Sequence, residues 1–366
     1  MMPASSLTPD PPRALSRGSD PADLPRSSSS ADPPRGSDFA ALSREVQAAG
    51  LLRRRHDHYA WRIGITVTAF AAGWVVFALV GDSWWQLLVA VFLAATSTQL
   101  AYIGHDAGHK QIFAGRRGND VIGYSHAALT GLSYGWWVGK HNRHHANPNH
   151  EDDDPDLDIP ILAFFADQAT DKRGFNRWTT KYQAFLFFPV LLLEGLSLHW
   201  AAVDAIRRRE VRTRWLESTL LAAHTVAYLG AVFLVLPPGK ALAFMAVHQG
   251  LWGVWMGCAF APNHKGMPTV TDADQLDFLR KQVLTSRDVR GGPLTDLALG
   301  GLNYQVVHHL FPNMPRPHLR LAQPIVARYC AEHAIPYRQS GLLDSYGQVL
   351  RHLHEVGAPL RATPAR

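Results

Sequence analysis

Long apolar stretches alternate with strongly polar stretches along this chain. The first two apolar runs extend from Trp61 to Gly81 and from Trp84 to Gly104, and only two residues separate them. A third run extends from Leu216 to Leu236 and a fourth from Ala241 to Ala261, with the tetrapeptide PPGK between them. An α-helix needs about 20 apolar residues to cross the hydrocarbon core of a bilayer, so each run is long enough. The pattern predicts four transmembrane helices in two tight hairpins.

The remaining segments complete a predicted domain organisation. A shorter apolar run, Ala184 to Trp200, contains Pro189 and Glu194, and we interpret it as an interfacial or re-entrant helix. Residues 1–44 are rich in Pro, Ser, Asp and Arg and contain no apolar run, so we expect a disordered tail rather than a signal peptide. A structured domain is predicted over 45–345 and a C-terminal tail over 346–366. The expected fold class is an all-α integral membrane protein with a helical cap outside the bilayer.

The distribution of basic residues predicts the orientation in the membrane. Four spans would leave both termini and the long middle segment on one side of the bilayer. That side carries the basic residues Arg53–Arg55, Arg116, Arg117, Lys140, Arg143 and the basic run 207–214. Because basic loops stay in the cytoplasm, this side is predicted to be cytoplasmic. The net charge is a modest +6. We expect a bacterial plasma membrane protein that contacts lipids and binds no nucleic acid.

Three short motifs place histidines side by side. HDAGH contains His105 and His109, and HNRHH contains His141, His144 and His145. The third motif, QVVHH, contains Gln305, His308 and His309. Residues three and four apart share one face of a helix, so each motif would present its imidazoles together. Neutral imidazole is a common ligand of Zn, Cu, Fe and Ni, so the motifs indicate a metal site.

The number of histidines predicts two metal ions. His264 follows the fourth apolar run and lies on the same predicted side as the three motifs. The candidate ligands are then His105, His109, His141, His144, His145, His264, His308 and His309. Because one zinc ion takes four ligands, eight histidines suit two metals with positions left open. Carboxylate di-iron bundles use Glu-x-x-His pairs, and the sequence contains none. With only two cysteines, Cys258 and Cys330, the metals would be held without thiolates.

Three polar residues are candidates for a supporting role. Gln305 occupies the place of a histidine in the third motif, and direct ligation, a water-mediated contact and helix packing all remain open for it. Asp106 and Asp156 are candidates to accept hydrogen bonds from ligand N–H groups. The other carboxylates of the acidic run EDDDPDLD, residues 151–158, are expected to form a solvated loop.

The three motifs, in this order and beside two membrane hairpins, resemble those of the membrane fatty acid desaturase family, over roughly residues 45–345. The Q-x-x-H-H form of the third motif is typical of its front-end and related acyl desaturase branch. The resemblance implies two iron ions held by the eight histidines, O₂ as co-substrate, and a fatty acyl substrate carried on CoA, a carrier protein or a lipid. The acyl chain would thread a kinked tunnel, for which Trp136, Trp137, Trp252 and Trp255 are candidate lining residues.

A fused cytochrome b5 domain, present in many relatives, has a His-Pro-Gly-Gly motif that this sequence lacks. We therefore expect a separate electron donor, such as a ferredoxin, a cytochrome b5-like protein or a flavoprotein reductase.

Two alternative functions follow from the same features. Acyl-chain hydroxylases and epoxygenases share these motifs, so the reaction outcome stays open between them and a desaturase. A membrane metal transporter would also combine apolar spans with histidines. A transporter places its ligands near the middle of its spans. Here the clusters lie outside the spans, which favours an enzyme.

Overall fold

A computed structural model of the chain describes residues 37–362. Within these residues the chain is mainly helical, with two short strands and two 3₁₀ turns, Asp272–Asp274 and Ala358–Leu360. The helices are α1 (Asp38–Ala48), α2 (His56–Val80), α3 (Gln86–Gly108), α4 (Arg116–Thr130), α5 (Tyr134–Ala146), α6 (Ala166–Asp171), α7 (Gly174–Lys181), α8 (Gln183–Leu191), α9 (Glu194–Arg207), α10 (Arg214–Val235), α11 (Pro238–His264), α12 (Phe278–Leu284), α13 (Pro293–Ala298), α14 (Gln305–Leu310), α15 (Arg316–Glu332) and α16 (Leu342–Val356).

Three helices are long and apolar enough to cross a membrane: α2, α3 and α10. They correspond to the first three predicted spans. The fourth predicted span is a single helix, α11, but His248 and Gln249 interrupt its apolar sequence and it does not reach the same apolarity. The side chain of His248 is satisfied inside the protein, since Tyr228 Oη lies 3.0 Å from its Nδ1 atom. The four-span topology therefore stays a prediction.

The fifth apolar run forms a broken helix pair. α8 and α9 meet at an angle of 74° across Leu192 and Leu193, as expected for a re-entrant segment or a broken span. Pro189 lacks an N–H group and so weakens the helical hydrogen bonding near the break. Gly195 of α9 and Gly253 of α11 allow the two backbones to approach closely, because a Cβ atom at Gly253 would lie 2.6 Å from the backbone nitrogen of Gly195.

α3 is the central helix of the membrane part, where it packs against α2, α4 and α11. An aromatic core joins the ends of these helices farthest from the histidine motifs. Phe77 of α2 and Phe244 of α11 have ring centroids 4.9 Å apart, and both are almost completely buried. Leu93 of α3 belongs to the same core, which holds α3 and α11 side by side and aligns the two helix ends that carry His105 and His264.

Both predicted tail boundaries are wrong where the structure describes them. α1 begins at Asp38, inside the predicted tail 1–44, and buries Leu42 and Val46 in a core with α12, α14 and α15. α16 extends through much of 346–366 and buries Val349 and Leu353. Both helices are amphipathic and gain stability by burying one apolar face. The predicted tail residues 1–36 and 363–366 lie outside the described residues.

A short strand pair departs from the all-α expectation. β1 (Asp288–Arg290) and β2 (Gln339–Gly341) pair in parallel, with Val289 opposite Ser340. β1 immediately precedes the segment that leads to α14, and Asp288 accepts a hydrogen bond from the backbone N–H of Val306 at 2.9 Å. The strand pair thus holds the start of the helix that carries the third histidine motif.

The close crossing at Gly253 predicts a specific instability. We expect Gly253→Ala to destabilise the protein by about 1–3 kcal/mol, because its methyl group would overlap backbone atoms that cannot move independently. The detergent-purified protein is heated in steps and analysed by size-exclusion chromatography. The temperature at which half of the monodisperse peak is lost measures this effect.

Gly230→Ala is the matched control, because Gly230 lies within α10 and a Cβ atom there meets nothing within 4 Å. Equal heat sensitivity of the two variants would contradict the tight crossing.

Candidate metal centre

The eight predicted ligand histidines come from four helices and meet in one place. α3 contributes His105, and His109 directly follows its C-terminal end. α5 carries the three histidines of the second motif, α11 ends at His264, and α14 carries His308 and His309. Every member has the ring centroid of another within about 5 Å. Seven are buried, and His141 is partly exposed.

The imidazoles divide into two groups. The ligand atoms of His105, His109, His141 and His308 all lie within 4.8 Å of one another, and so do those of His144, His264 and His309. His145 stands between the groups. Its ring stacks on His309 with a centroid distance of 4.2 Å, and its Nε2 atom lies 3.1 Å from Nε2 of His141. Each group is compatible with metal binding, and the presence of two metal ions stays a prediction.

In the group of His144, His264 and His309, each ring is oriented by a hydrogen bond from its Nδ1 atom. His144 donates to Oδ1 of Asp154 at 3.0 Å and His309 donates to Oε1 of Gln282 at 2.9 Å. The Nδ1 atom of His264 lies 3.2 Å from the backbone oxygen of Thr285. These acceptors assign the ring proton to Nδ1 and leave a lone pair on each Nε2 atom. The Nε2 atoms of His264 and His309 converge to 3.1 Å.

The group of His105, His109, His141 and His308 contains buried nitrogen atoms without partners. Among the described residues, no hydrogen bond reaches Nε2 of His105, Nε2 of His109 or either ring nitrogen of His308. Buried polar atoms are nearly always hydrogen-bonded, so several orphaned nitrogens at one point require an explanation. A metal ion fits, because it would be coordinated by lone pairs that are otherwise unsatisfied.

The surroundings favour the uncharged form of five of these imidazoles. Burial disfavours the imidazolium form, and the neighbouring histidines add to the effect, so the ring pKa lies well below its usual value at five positions: His109, His141, His145, His308 and His309. Neutral imidazole is the form that binds a metal. The electrostatics therefore suit ligation at neutral pH.

The two carboxylates predicted to support the site lie beside motif histidines. Oδ1 of Asp106 is 3.4 Å from Nδ1 of His105, at the outer limit of a hydrogen bond, and Oδ2 is 2.6 Å from Nη2 of Arg316. Asp156 forms an ion pair with Lys140, and its Oδ2 atom lies 3.5 Å from Nδ1 of His144. Asp106 and Asp156 are thus near the imidazoles, but each is bound mainly to a basic side chain.

The closest supporting acceptors were not predicted from sequence. Asp154 is buried and also accepts from the backbone N–H of Asn149 at 2.8 Å. Its place in the acidic run next to the second motif could have identified Asp154, but we interpreted most of that run as a solvated loop. Gln282 is also buried, and its amide donates to the backbone oxygen of His145 at 2.9 Å. Gln282 and Thr285 belong to no motif, so no sequence signal pointed to them.

Gln305 lies at the inner edge of the site. Its Nε2 atom is 2.9 Å from Nε2 of His264, and its Oε1 atom is 3.4 Å from Nδ2 of Asn263. Rotating the carboxamide by a half turn would present the oxygen to the same point as the imidazole lone pairs. The position suits both a direct and a water-mediated contact with a metal.

A cavity of about 200 Å³ adjoins the histidines. His105, His141, His144 and His264 form part of its wall, and most of the rest is apolar. Of the four tryptophans predicted for a tunnel, Trp136 and Trp137 line this cavity. The other two do not: Trp252 is buried in the adjoining core, and Trp255 donates its Nε1–H to the backbone oxygen of Ala298.

Comparison with known proteins gives a consistent set of relatives. The family model for fatty acid desaturases matches residues 82–341. An acyl-lipid (9-3)-desaturase of Physcomitrium patens is 31% identical over 310 residues, which are 82% of this chain and 58% of that protein. A Δ6 fatty acid desaturase of Caenorhabditis elegans is 27% identical over 342 residues, covering 89% of this chain and 76% of that protein.

A third relative, a Δ8 fatty acid desaturase of Helianthus annuus, is 28% identical over 342 residues, covering 88% of this chain and 74% of that protein. The chain spans less than two thirds of the length of the moss relative. All three histidine motifs lie within the residues that the family model matches. The match therefore covers most of the chain together with its motifs, and this chain belongs to the fatty acid desaturase family.

Proposed function

We propose that this protein is an O₂-dependent membrane desaturase that introduces a double bond into a fatty acyl chain at a centre of two iron ions. The observation that carries the proposal is that two groups of convergent imidazoles adjoin a largely apolar cavity, with His105, His141, His144 and His264 in its wall. A saturated chain has no polar group at the reacting carbons, so an apolar cavity that meets a metal centre suits it.

The proposed ligand sets follow the two groups. His105, His109, His141 and His308 would hold one iron, and His144, His264 and His309 the other, with His145 between them. Gln305 would add its amide oxygen or hold a water molecule. When bound, the two irons supply the O₂-derived oxidising power that unactivated C–H bonds require.

The protein's own groups prepare the site for that chemistry. Asp154, Gln282 and the backbone of Thr285 fix the proton on Nδ1 of their histidines, which keeps each Nε2 lone pair directed inward. The indole ring of Trp137 stacks on His141 at 4.5 Å and forms part of the cavity wall. Together these side chains orient the ligands and exclude water from the acyl chain.

The reaction needs a partner that delivers electrons. Converting one CH₂–CH₂ unit and O₂ to a double bond and two waters consumes two electrons and two protons. We propose a separate donor, either a ferredoxin, a cytochrome b5-like protein or a flavoprotein reductase. The acyl carrier, CoA, a carrier protein or a lipid, belongs to the same proposal.

The membrane placement is also proposed. The site lies at the ends of α3 and α11, and basic residues such as Lys140 and Arg143 lie near it in sequence. The positive-inside rule then supports a site that faces the cytoplasm. The bacterial plasma membrane stays a prediction, and the three relatives described above come from a moss, a nematode and a flowering plant.

Hydroxylation or epoxidation of an acyl chain would use the same ligands and cavity. We favour desaturation because the relatives described above are named as desaturases. A metal transporter fits less well, because His105 and His264 lie at helix ends and the second and third motifs lie on helices too short to cross a membrane.

Expression in a host with a reductase system tests the reaction. We expect gas chromatography–mass spectrometry of total fatty acids to reveal new unsaturated acids, with double bonds located by chemical derivatisation. His308→Ala should abolish them and lower the iron content while leaving membrane insertion intact, because His308 places two orphaned nitrogens in the site. Hydroxy or epoxy acids instead would replace the proposed reaction, and full activity of His308→Ala would remove the proposed centre.

Removal of the carboxylate behind His144 tests the supporting hydrogen bonds. We expect Asp154→Ala to weaken iron binding about 10–100-fold, since a ligand histidine without its acceptor loses both orientation and basicity. Iron per chain after dialysis against graded chelator concentrations measures this. Asp153→Ala is the matched control, because the Asp153 side chain is 58% exposed and contacts none of the eight histidines. Equal retention of iron by the two variants would show that Asp154 does not support the site.

A further inference from the structure

The cavity beside the histidines has one charged region. Four charged side chains line it: Lys140, Asp156, Glu194 and Lys265. They are neighbours, since Lys140 pairs with Asp156, and Nζ of Lys265 donates to the backbone oxygen of Asp156 at 3.1 Å. The ammonium group of Lys265 also lies 4.0 Å from the ring centroid of Phe164, which places the charges beside the apolar cluster of α8 and α16.

Another part of the cavity wall is apolar. Ala101, Leu132, Leu198 and Met256 line the cavity and pack with Trp252 in a separate apolar cluster. Placing a polar group against an apolar wall costs free energy. The methyl end of an acyl chain therefore suits this wall, and the polar end suits the charged region.

Glu194 is the charged residue in this region that has no bonded partner. Among residues 37–362, no hydrogen bond or ion pair shorter than 4 Å reaches its carboxylate, although Lys140 and Asp156 lie within electrostatic range. Its backbone position is fixed, because α9 begins there and the neighbouring Gly195 packs against Gly253. Glu194 is the one carboxylate in the apolar run 184–200, and an ionisable side chain in such a run points to a functional role.

We propose that Glu194 accepts a hydrogen bond from an amide N–H group of the substrate, close to the acyl carbonyl. The inference rests on the proposed function and identifies the substrate as an acyl derivative that carries such an amide. A carboxylate oxygen accepts a hydrogen bond from an amide N–H group, which an ester cannot supply. A phosphopantetheine thioester and an N-acyl sphingoid lipid both present that donor, whereas the ester of a glycerolipid has none at this place.

The test compares binding of two ligands that differ in the amide alone. The purified full-length protein is titrated with the N-acetylcysteamine thioester of stearic acid and with the S-pentyl thioester, in which carbon atoms replace the amide. Displacement of a doxyl-labelled stearoyl chain reports binding, because the doxyl group quenches the fluorescence of Trp136 and Trp137 in the cavity wall. N-stearoyl sphingosine provides the sphingoid ligand.

The wild-type protein should bind the amide-bearing ligand about tenfold or more tightly than its amide-free partner, as expected for a hydrogen bond to a charged acceptor. Glu194→Leu should remove that preference, and Glu194→Gln should retain part of it through the neutral amide oxygen. Glu210→Leu is the control, because Glu210 is exposed and does not line the cavity. A Glu194-dependent preference for the thioester indicates a phosphopantetheine carrier, and one for the sphingoid amide indicates a sphingolipid.

Two outcomes would overturn the inference: a wild type that binds neither the amide-bearing thioester nor N-stearoyl sphingosine more tightly than the S-pentyl thioester, or an equal loss of all three ligands in Glu194→Leu. Product analysis separates this failure from that of the proposed function. New double bonds without amide discrimination would reject the role of Glu194 alone. Amide discrimination without any oxidised acyl product would retain the binding site and reject the desaturase.

Discussion

The structure depends on the burial of imidazoles whose ring nitrogens point at one another. Such nitrogens are stable inside a protein only when a proton, a hydrogen-bond donor or a metal occupies the space between them. Several of them, including both ring nitrogens of His308, have no protein partner. Three features of the surrounding protein hold this arrangement in place: the aromatic core of α2 and α11, the strand pair before α14, and the acceptors behind His144, His264 and His309.

Most of the candidate metal ligands could be predicted from the sequence, because residues three or four positions apart share one face of a helix. The pairs and triplets of histidines predicted shared faces on α3, α5 and α14, and all eight imidazoles meet. Gln282 could not be predicted in this way. It lies in a separate helix 27 residues before His309, and only the packing of α12 against α14 brings its amide to the ring. Hydrogen-bond acceptors that only tertiary packing brings to the site leave no periodic pattern in the sequence.

The difference between local sequence patterns and tertiary packing also explains which helices could be predicted. Uninterrupted apolar runs predicted α2, α3 and α10, whose outer faces are hydrophobic along their length. α11 contains polar residues that lower its hydropathy. They are tolerated because they face other helices, as the contact of His248 with Tyr228 illustrates. The amphipathic helices α1 and α16 lie in segments whose average composition is polar, so composition suggested tails. Their buried positions Leu42 and Leu353 follow a helical period that a composition average conceals.

The origin of the ligands in four distant helices has a consequence for biosynthesis. His105 is made and inserted long before His308 and His309, about 200 residues later in the chain. Until α14 emerges, the first two motifs have no partners to complete either group, and long-range contacts of this kind form slowly. Assembly of the centre is therefore a late, post-insertion event. A nascent chain that stalls before α14 would present incomplete imidazole clusters at the membrane surface.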